Sequence, residues 1–183
     1  MPPSRMNLKG VSTLVVDGDR FTRGLVVQIL RGFRMDSPLV CDSGEQAKEF
    51  IEKNPVDLCI VEAALPDMAS PDLIGWLRRP EMSATRFVPV IVLSGYTQLR
   101  LVAAARDAGA NTVLKKPVSP KSLFERILWA AKIPRPFIDA GNYVGPDRRF
   151  RSVEPPDKIY KRSNDLEAAR NVPGSTTAQG TSR

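Results

Sequence analysis

The run Val56-Asp57-Leu58-Cys59-Ile60-Val61, ended by Glu62 and a Leu65-Pro66 turn, constrains the fold more than any other stretch. A short run rich in Val, Ile and Leu, stopped by a turn, is the signature of a strand buried on both faces. Such strands belong to parallel sheets covered by helices. Glu62 stands where that strand runs out. In open α/β sheets, ligands and chemistry gather in the crevice outside the carboxyl ends of the strands. A carboxylate in that place is either a functional group or an acid that meets solvent as the strand ends.

The rest of the chain repeats the pattern. Val11 to Val16 is an apolar strand that ends at Asp17. The segment from Arg20 to Phe33 places Leu25, Val26, Ile29 and Leu30 at helical spacing. Pro38 to Cys41 is a short second strand. Ser43-Gly44-Glu45-Gln46 fits a capping box and opens a helix through Lys53. The strand from Asp57 to Val61 is the third. Ser70-Pro71 supplies an N-cap and a first-turn proline for a helix that carries Leu73, Ile74 and Leu77 and stops near Pro80. Phe87 to Leu93 is the fourth strand, followed by Ser94-Gly95. Thr97 to Ala108 is a helix closed by Gly109. Thr112 to Lys115 is the fifth strand, followed by Lys116-Pro117. Ser119-Pro120 opens the last helix, with Leu123, Phe124, Ile127, Leu128 and Ala131 facing inward. Five strands alternating with five helices predict a doubly wound α/β fold with a parallel sheet and right-handed crossovers.

This organisation predicts an N-terminal arm over 1–7, a domain over 8–133 and an extension over 134–183. In the extension, Pro134, Pro136, Pro146, Pro155, Pro156 and Pro173 interrupt a polar stretch, and Asn171 to Arg183 reads as disordered. Phe137, Ile138, Tyr143 and Val144 are the extension's candidates for docking back on the domain. Of the net charge of +7, residues 1–133 carry +4 and residues 134–183 carry +3, so the extension is the denser basic part. The sequence contains no His, which excludes His-based triads and His metal sites. Cys41 and Cys59 fall inside expected strands and read as buried thiols. No apolar run reaches the roughly 20 residues of a membrane span, and Met1 to Arg5 lacks the apolar centre of a signal peptide. A cytoplasmic location is the expectation.

The polar residues at the strand ends fall on one rim of the sheet. The first strand gives Asp17, the third Glu62, the fourth Ser94 and the fifth Lys116. Carboxylates that hold a divalent cation, with a hydroxyl and an ammonium for phosphate oxygens, suit a phosphoryl group.

These residues carry a resemblance. Leu14-Val15-Val16-Asp17, Val61-Glu62-Ala63-Ala64-Leu65-Pro66-Asp67-Met68, Val90-Ile91-Val92-Leu93-Ser94-Gly95, Ala108-Gly109-Ala110 and Lys115-Lys116-Pro117 together resemble the receiver domain of bacterial two-component response regulators. The match covers about Leu8 to Ile133. The resemblance implies a flavodoxin-like sheet in strand order 2-1-3-4-5. It also implies an aspartate on the third strand that accepts a phosphoryl group from a histidine kinase, and two acids after the first strand that bind Mg²⁺. A Ser/Thr and a Lys then read the phosphoryl group and shift the face made by the fourth helix, fifth strand and fifth helix.

Carried over residue by residue, the pattern is incomplete. Asp17 matches the first acid and is the one remaining metal candidate of that pair, while Gly18 stands at the second. Asp19, one residue on, substitutes in part and completes an acidic pocket with Asp17. Glu62 occupies the phosphoacceptor position. Ala64 follows where a backbone carbonyl serves the metal. Ser94 and Lys116, the phosphate-readout equivalents, are intact. Val113 occupies the aromatic switch position. This combination implies a stand-alone, degenerate receiver that acts without phosphorylation, as a protein-interaction module in a phosphorelay. It would not be an enzyme, and it would bind no cofactor or only weak Mg²⁺. Its partner would be a protein on the fourth-helix, fifth-strand, fifth-helix face, such as a histidine kinase or another phosphorelay component. A Glu62–Lys116 ion pair is the expected replacement for the phosphoryl contact. A second reading within the family keeps switching through Mg²⁺ or an unconventional phosphosite.

One reading from a different class remains. Val15-Val16-Asp17-Gly18-Asp19 also resembles the first motif of haloacid-dehalogenase-type phosphatases, which would make Asp17 a nucleophile and Asp19 an acid/base. No strand follows Lys116 to supply that family's later acidic pair. A nucleotide-binding module is disfavoured, because no G-x-G-x-x-G follows the first strand. In the extension, Arg148, Arg149 and Arg151, beside Tyr143 and Phe150, form a candidate contact for phosphate, an acidic partner or RNA; a solvated basic linker is the simpler reading. No pair of periodic helices follows the domain, so a helix-turn-helix output is not expected. Trp129 lies off the core-facing stripe of the last helix, where it would anchor a partner or be covered by Phe137 or Tyr143.

Overall fold

The computed structural model describes residues 8–35, 37–82, 85–95, 99–132, 137–140 and 143–147. The chain alternates β1 (Thr13–Val16), α1 (Arg20–Gly32), β2 (Leu39–Cys41), α2 (Gly44–Lys53), β3 (Leu58–Glu62), α3 (Ser70–Leu77), β4 (Val90–Ser94), α4 (Leu99–Asp107), β5 (Thr112–Lys115) and α5 (Pro120–Lys132). A short hairpin follows, made of β6 (Phe137–Asp139) and β7 (Val144–Pro146). The first five strands form one parallel sheet in the order β2-β1-β3-β4-β5. This is the doubly wound, flavodoxin-like arrangement expected from the sequence.

The strands are continuous apolar runs because helices cover both faces of the sheet. On one side Val26, Ile29 and Leu30 of α1 and Leu123 and Ile127 of α5 close over Val15, Ile60, Ile91, Leu93 and Leu114. The alternate residues Leu14, Val16, Val61, Val90 and Val92 are fully buried toward the other side. There α2 and α4 pack on the sheet, and α3 lies between them. Burial of these side chains, at about 25 cal/mol per Å² of apolar surface, is the main force that holds the sheet closed.

Several local expectations shift. Leu25 is exposed, because the buried stripe of α1 is narrower than the sequence spacing suggested. Ala131 is likewise exposed. The α3 cap falls on Ala69, one residue early, with no side-chain cap bond. Ser70 is instead the first helical residue; it is fully buried, and its N–H donates to Ala63 O at 2.9 Å. Residues 85–87 form a turn ahead of β4, and Phe87 is 52% exposed. The Arg78 guanidinium explains this turn: it draws the carbonyls of Arg86 and Val88 at 2.6 and 2.9 Å.

The hairpin, in the 134–183 extension, falls in the same compact unit as the sheet, which runs to Asp147. Phe137 packs edge-on to Phe87 and lies over Arg78, and Asp139 pairs with Arg86. Trp129 is half-buried. Arg148, Arg149, Arg151 and Phe150 lie outside the described residues, as do Ile133 and Asn171 to Arg183. Cys41 and Cys59 are buried free thiols, and burial pushes the Cys59 thiol up to about 12. No helix among the described residues is long and apolar enough to cross a membrane.

Ile60 is fully buried at the centre of the sheet. Ile60→Ala is expected to lower the unfolding free energy by about 2–5 kcal/mol in urea titration, with the slope unchanged.

Candidate functional site

The carboxyl ends of β1, β3, β4 and β5 lie side by side, because strand order places those four strands together. Asp17 follows β1 directly, Glu62 and Ser94 end β3 and β4, and Lys116 follows β5. The Lys116 N–H donates to Ser94 O at 2.8 Å, which carries the side chain back over the rim.

Three of the expected side chains meet. Lys116 Nζ lies 3.0 Å from Asp17 Oδ2 and is in contact with Glu62 Oε2. The Glu62 contact is an ion pair without hydrogen-bond geometry, so Oε2 is charge-compensated while no hydrogen bond satisfies it. Asp17 is 2% exposed and Glu62 9%. Two buried carboxylates this close require a cation, and the chain provides its own. The three groups together carry a net charge of −1. Asp17 is held further by the Asp19 N–H, which donates to Oδ1 at 2.8 Å, and by Arg23, whose Nη1 donates to the Asp17 carbonyl.

The other expected residues have separate roles. Asp19 caps α1: Oδ1 accepts the Thr22 N–H at 2.6 Å, and hydrogen bonds to the Thr22 backbone and side chain hold its carboxyl below the usual range. The Ser94 hydroxyl donates to Gly95 O at 3.1 Å. Val113 is buried in β5 opposite Val92, an aliphatic side chain fixed within the sheet. Ala64 pairs with Ala69 in an isolated bridge, which shapes the loop after β3.

The residues present do not fit a Mg²⁺ ion. Among the described residues no group of three or more acids or cysteines could hold a metal. The two carboxylates that face each other are both taken by Lys116. An acid at position 18 is also obstructed. A Cβ on Gly18 would lie 2.6 Å from Pro66 Cγ and 2.8 Å from Cδ, and a proline ring yields little. Mg²⁺ keeps several waters and binds through one or two free carboxylates, and the two at this rim are both engaged by Lys116.

Sequence reasoning missed three supporting residues. Pro66 closes on Gly18, a contact between loops that spacing does not reveal. Asp67 accepts the Gly44 and Glu45 N–H groups at 2.8 and 2.9 Å, tying the loop after β3 to the start of α2. Burial works to raise its carboxyl, but the Gly44, Glu45 and Asp67 N–H groups together with Lys48 hold it below the usual range. Arg78 is buried, and burial pulls its guanidinium down to about 10. Its signal was available, since it continues the Ile74 and Leu77 stripe.

Comparison with known proteins places this geometry. The response regulator receiver domain family matches residues 13–128. The chain is similar to the sensory/regulatory protein RpfC of Xanthomonas campestris, at 27% identity over 67% of this chain and 17% of the relative. It is similar to the response regulator protein PilR of Pseudomonas aeruginosa, at 28% identity over 87% of this chain and 34% of the relative. It is also similar to the DNA-binding response regulator MtrA of Mycolicibacterium paratuberculosis, at 31% identity over 62% of this chain and 48% of the relative. The chain thus spans less than half the length of these relatives. Among solved structures, a response regulator receiver protein from Pseudomonas putida aligns with a TM-score of 0.56 at 26% identity, covering 63% of this chain and 93% of the other. A chemotaxis response regulator of Vibrio cholerae, at 22% identity and a TM-score of 0.58, covers 64% of this chain and 95% of its own, and supports the fold alone.

Two measurements test the geometry. Gly18→Asp should destabilise the protein by about 1–3 kcal/mol through overpacking, and Pro66→Ala should recover part of that loss in a double-mutant cycle. Lys116→Met should cost about 1–3 kcal/mol, discounted from a fully buried pair because the lysine is partly exposed; adding Glu62→Gln should return some of it in urea unfolding.

Proposed function

The chain belongs to the response regulator receiver domain family, and from that premise we propose that it serves two-component signalling as an interaction module that does not depend on phosphorylation. The observation that carries the reading is the Lys116 ammonium, held between Asp17 and Glu62.

Three physical points support it. Glu62 is one methylene longer than aspartate, which displaces the carboxylate by about 1.5 Å. In-line attack on phosphorus tolerates little misplacement on that scale. A carboxylate in contact with an ammonium is also a poorer nucleophile, because its charge is already compensated. Finally, the donor set lacks the second acid that would hold Mg²⁺. Glu62 brings one negative charge to Lys116, whereas a phosphoryl group brings about −1.5 to −2. The pair therefore ties the end of β5 to the end of β3 across β4, and Val113, buried in the sheet, provides no swinging ring.

On this reading the domain presents a standing surface to a protein partner. The face of α4, β5 and α5 is the proposed contact, with a histidine kinase or another phosphorelay component as the class of partner and the cytoplasm as the site of action. The phosphatase reading requires Asp19 as an acid/base, and its carboxylate is committed to capping α1.

Incubation with acetyl phosphate and Mg²⁺, followed by intact-mass spectrometry, tests the proposal. Wild type is expected to gain no phosphoryl group. Glu62→Asp, which shortens the side chain, separates the two departures: a gain there assigns the block to position 62, and no gain assigns it to the missing acid at position 18. A stoichiometric gain in wild type overturns the reading.

A further inference from the structure

We propose that the hairpin Phe137–Pro146 is a releasable strap that occupies, in cis, a peptide-docking groove formed by Arg78, Arg86, Phe87 and Gly109. This groove belongs to the opposite end of the strands from the carboxylate–lysine rim. Val88 leads into β4, and Gly109 lies between α4 and β5.

The groove has a specific chemistry. Arg78 is buried, and its guanidinium donates to the carbonyls of Arg86, Val88 and Gly109 at 2.6, 2.9 and 3.1 Å. One guanidinium thus gathers the end of α3, the approach to β4 and the end of α4. Its outer surface is covered by the Phe137 ring, with the centroid 5.0 Å from Cζ, a cation–π contact. Phe137 also meets Phe87 edge to face at 5.4 Å and 78°. Two residues on, Asp139 pairs with Arg86 at 2.7 Å. Arg86 is itself oriented by its Nε bond to Arg78 O at 2.9 Å. The strap is therefore read as an aromatic residue, one spacer and an acid.

Two glycines show how closely the strap is fitted. Gly109 sits at φ +105, and a Cβ there would overlap Val144 O. A Cβ on Gly145 would lie 2.7 Å from Gly109 Cα. Backbone approaches backbone with no side chain between, and this contact requires glycine on both sides. The Tyr143 hydroxyl closes the hairpin by donating to Pro146 O at 2.9 Å.

The strap is also weakly self-supporting. Each strand has three residues, and an isolated two-stranded hairpin of that size is marginal in water. Its order comes from the groove. A hairpin this short, attached through ring, ion-pair and glycine contacts, belongs to the low-stability end of a fold, where release is accessible. A released strap would leave Arg78, Arg86 and Phe87 open to another segment of aromatic–spacer–acid pattern.

Hydrogen exchange by mass spectrometry on the full chain tests this, with wild type, Gly145→Ala, Phe137→Ala and Phe137→Tyr compared. The first two substitutions should speed exchange of the amides of Val88, Val90 and 109–111 by about tenfold, while Phe137→Tyr, which keeps a ring over Arg78, should not. A synthetic peptide of residues 134–147 should restore protection to Phe137→Ala and leave wild type unchanged. Equal exchange in all four folded proteins, or a peptide that fails to protect Phe137→Ala, overturns the proposal. If Gly145→Ala loses its far-UV dichroism, the Phe137→Ala and Phe137→Tyr pair decides.

Discussion

The Lys116 ammonium is the interaction on which the functional rim depends. Strand order brings Asp17 of the β1 end and Glu62 of β3 next to each other inside a crevice with little access to water. Two ionised carboxylates cannot share such a place without a cation. Lys116 reaches back from β5 across β4 to supply it, and Ser94 O fixes its backbone on the way. The sheet therefore closes at its carboxyl end with an internal salt bridge, where the family resemblance implies a phosphoryl group and a metal.

The loops around that bridge are arranged to match. Pro66 occupies the space beside Gly18, so the turn after β3 and the turn after β1 fit only because position 18 has no side chain. Asp67 fastens the same β3 loop to the first N–H groups of α2, where the helix dipole and free donors favour a carboxylate. Asp19 is absorbed in the same way by the start of α1. The acids near the rim are thus distributed among helix starts and one lysine, and each has a structural partner. The residues at positions 18 and 62 serve the same closed rim: Gly18 leaves room for Pro66, and Glu62 reaches Lys116.

Much of this was legible in the sequence because it depends on local pattern. Buried parallel strands are continuous apolar runs, their ends are marked by the first polar residue, and the alternation with helices sets the topology. Asp17, Glu62, Ser94 and Lys116 could be placed on one rim from that alone, and the Glu62–Lys116 pair is what the receiver resemblance adds. What stayed hidden depends on contacts between distant segments. The turn at 85–87 displaces the start of β4 because Arg78 attracts two carbonyls, and a charged residue on an apolar stripe was passed over. Ser70 looked like a cap and is buried by the β3 loop. The fit of Pro66 on Gly18 and of Gly145 on Gly109 has no sequence signature at all. The prolines of the extension masked a hairpin whose strands are too short to show a period.

The most direct test of the central claim is a pair of backbone amide NMR spectra, one without additions and one with Mg²⁺ and beryllofluoride, a phosphoryl mimic. If Lys116 already neutralises Asp17 and Glu62, the amides of Asp17, Gly18, Glu62, Ser94 and Lys116 will keep their positions throughout the titration. A saturable shift of these amides, spreading to α4 and β5, would show that the rim accepts the metal and the anion. The internal salt bridge would then be only a resting contact that the ligand displaces.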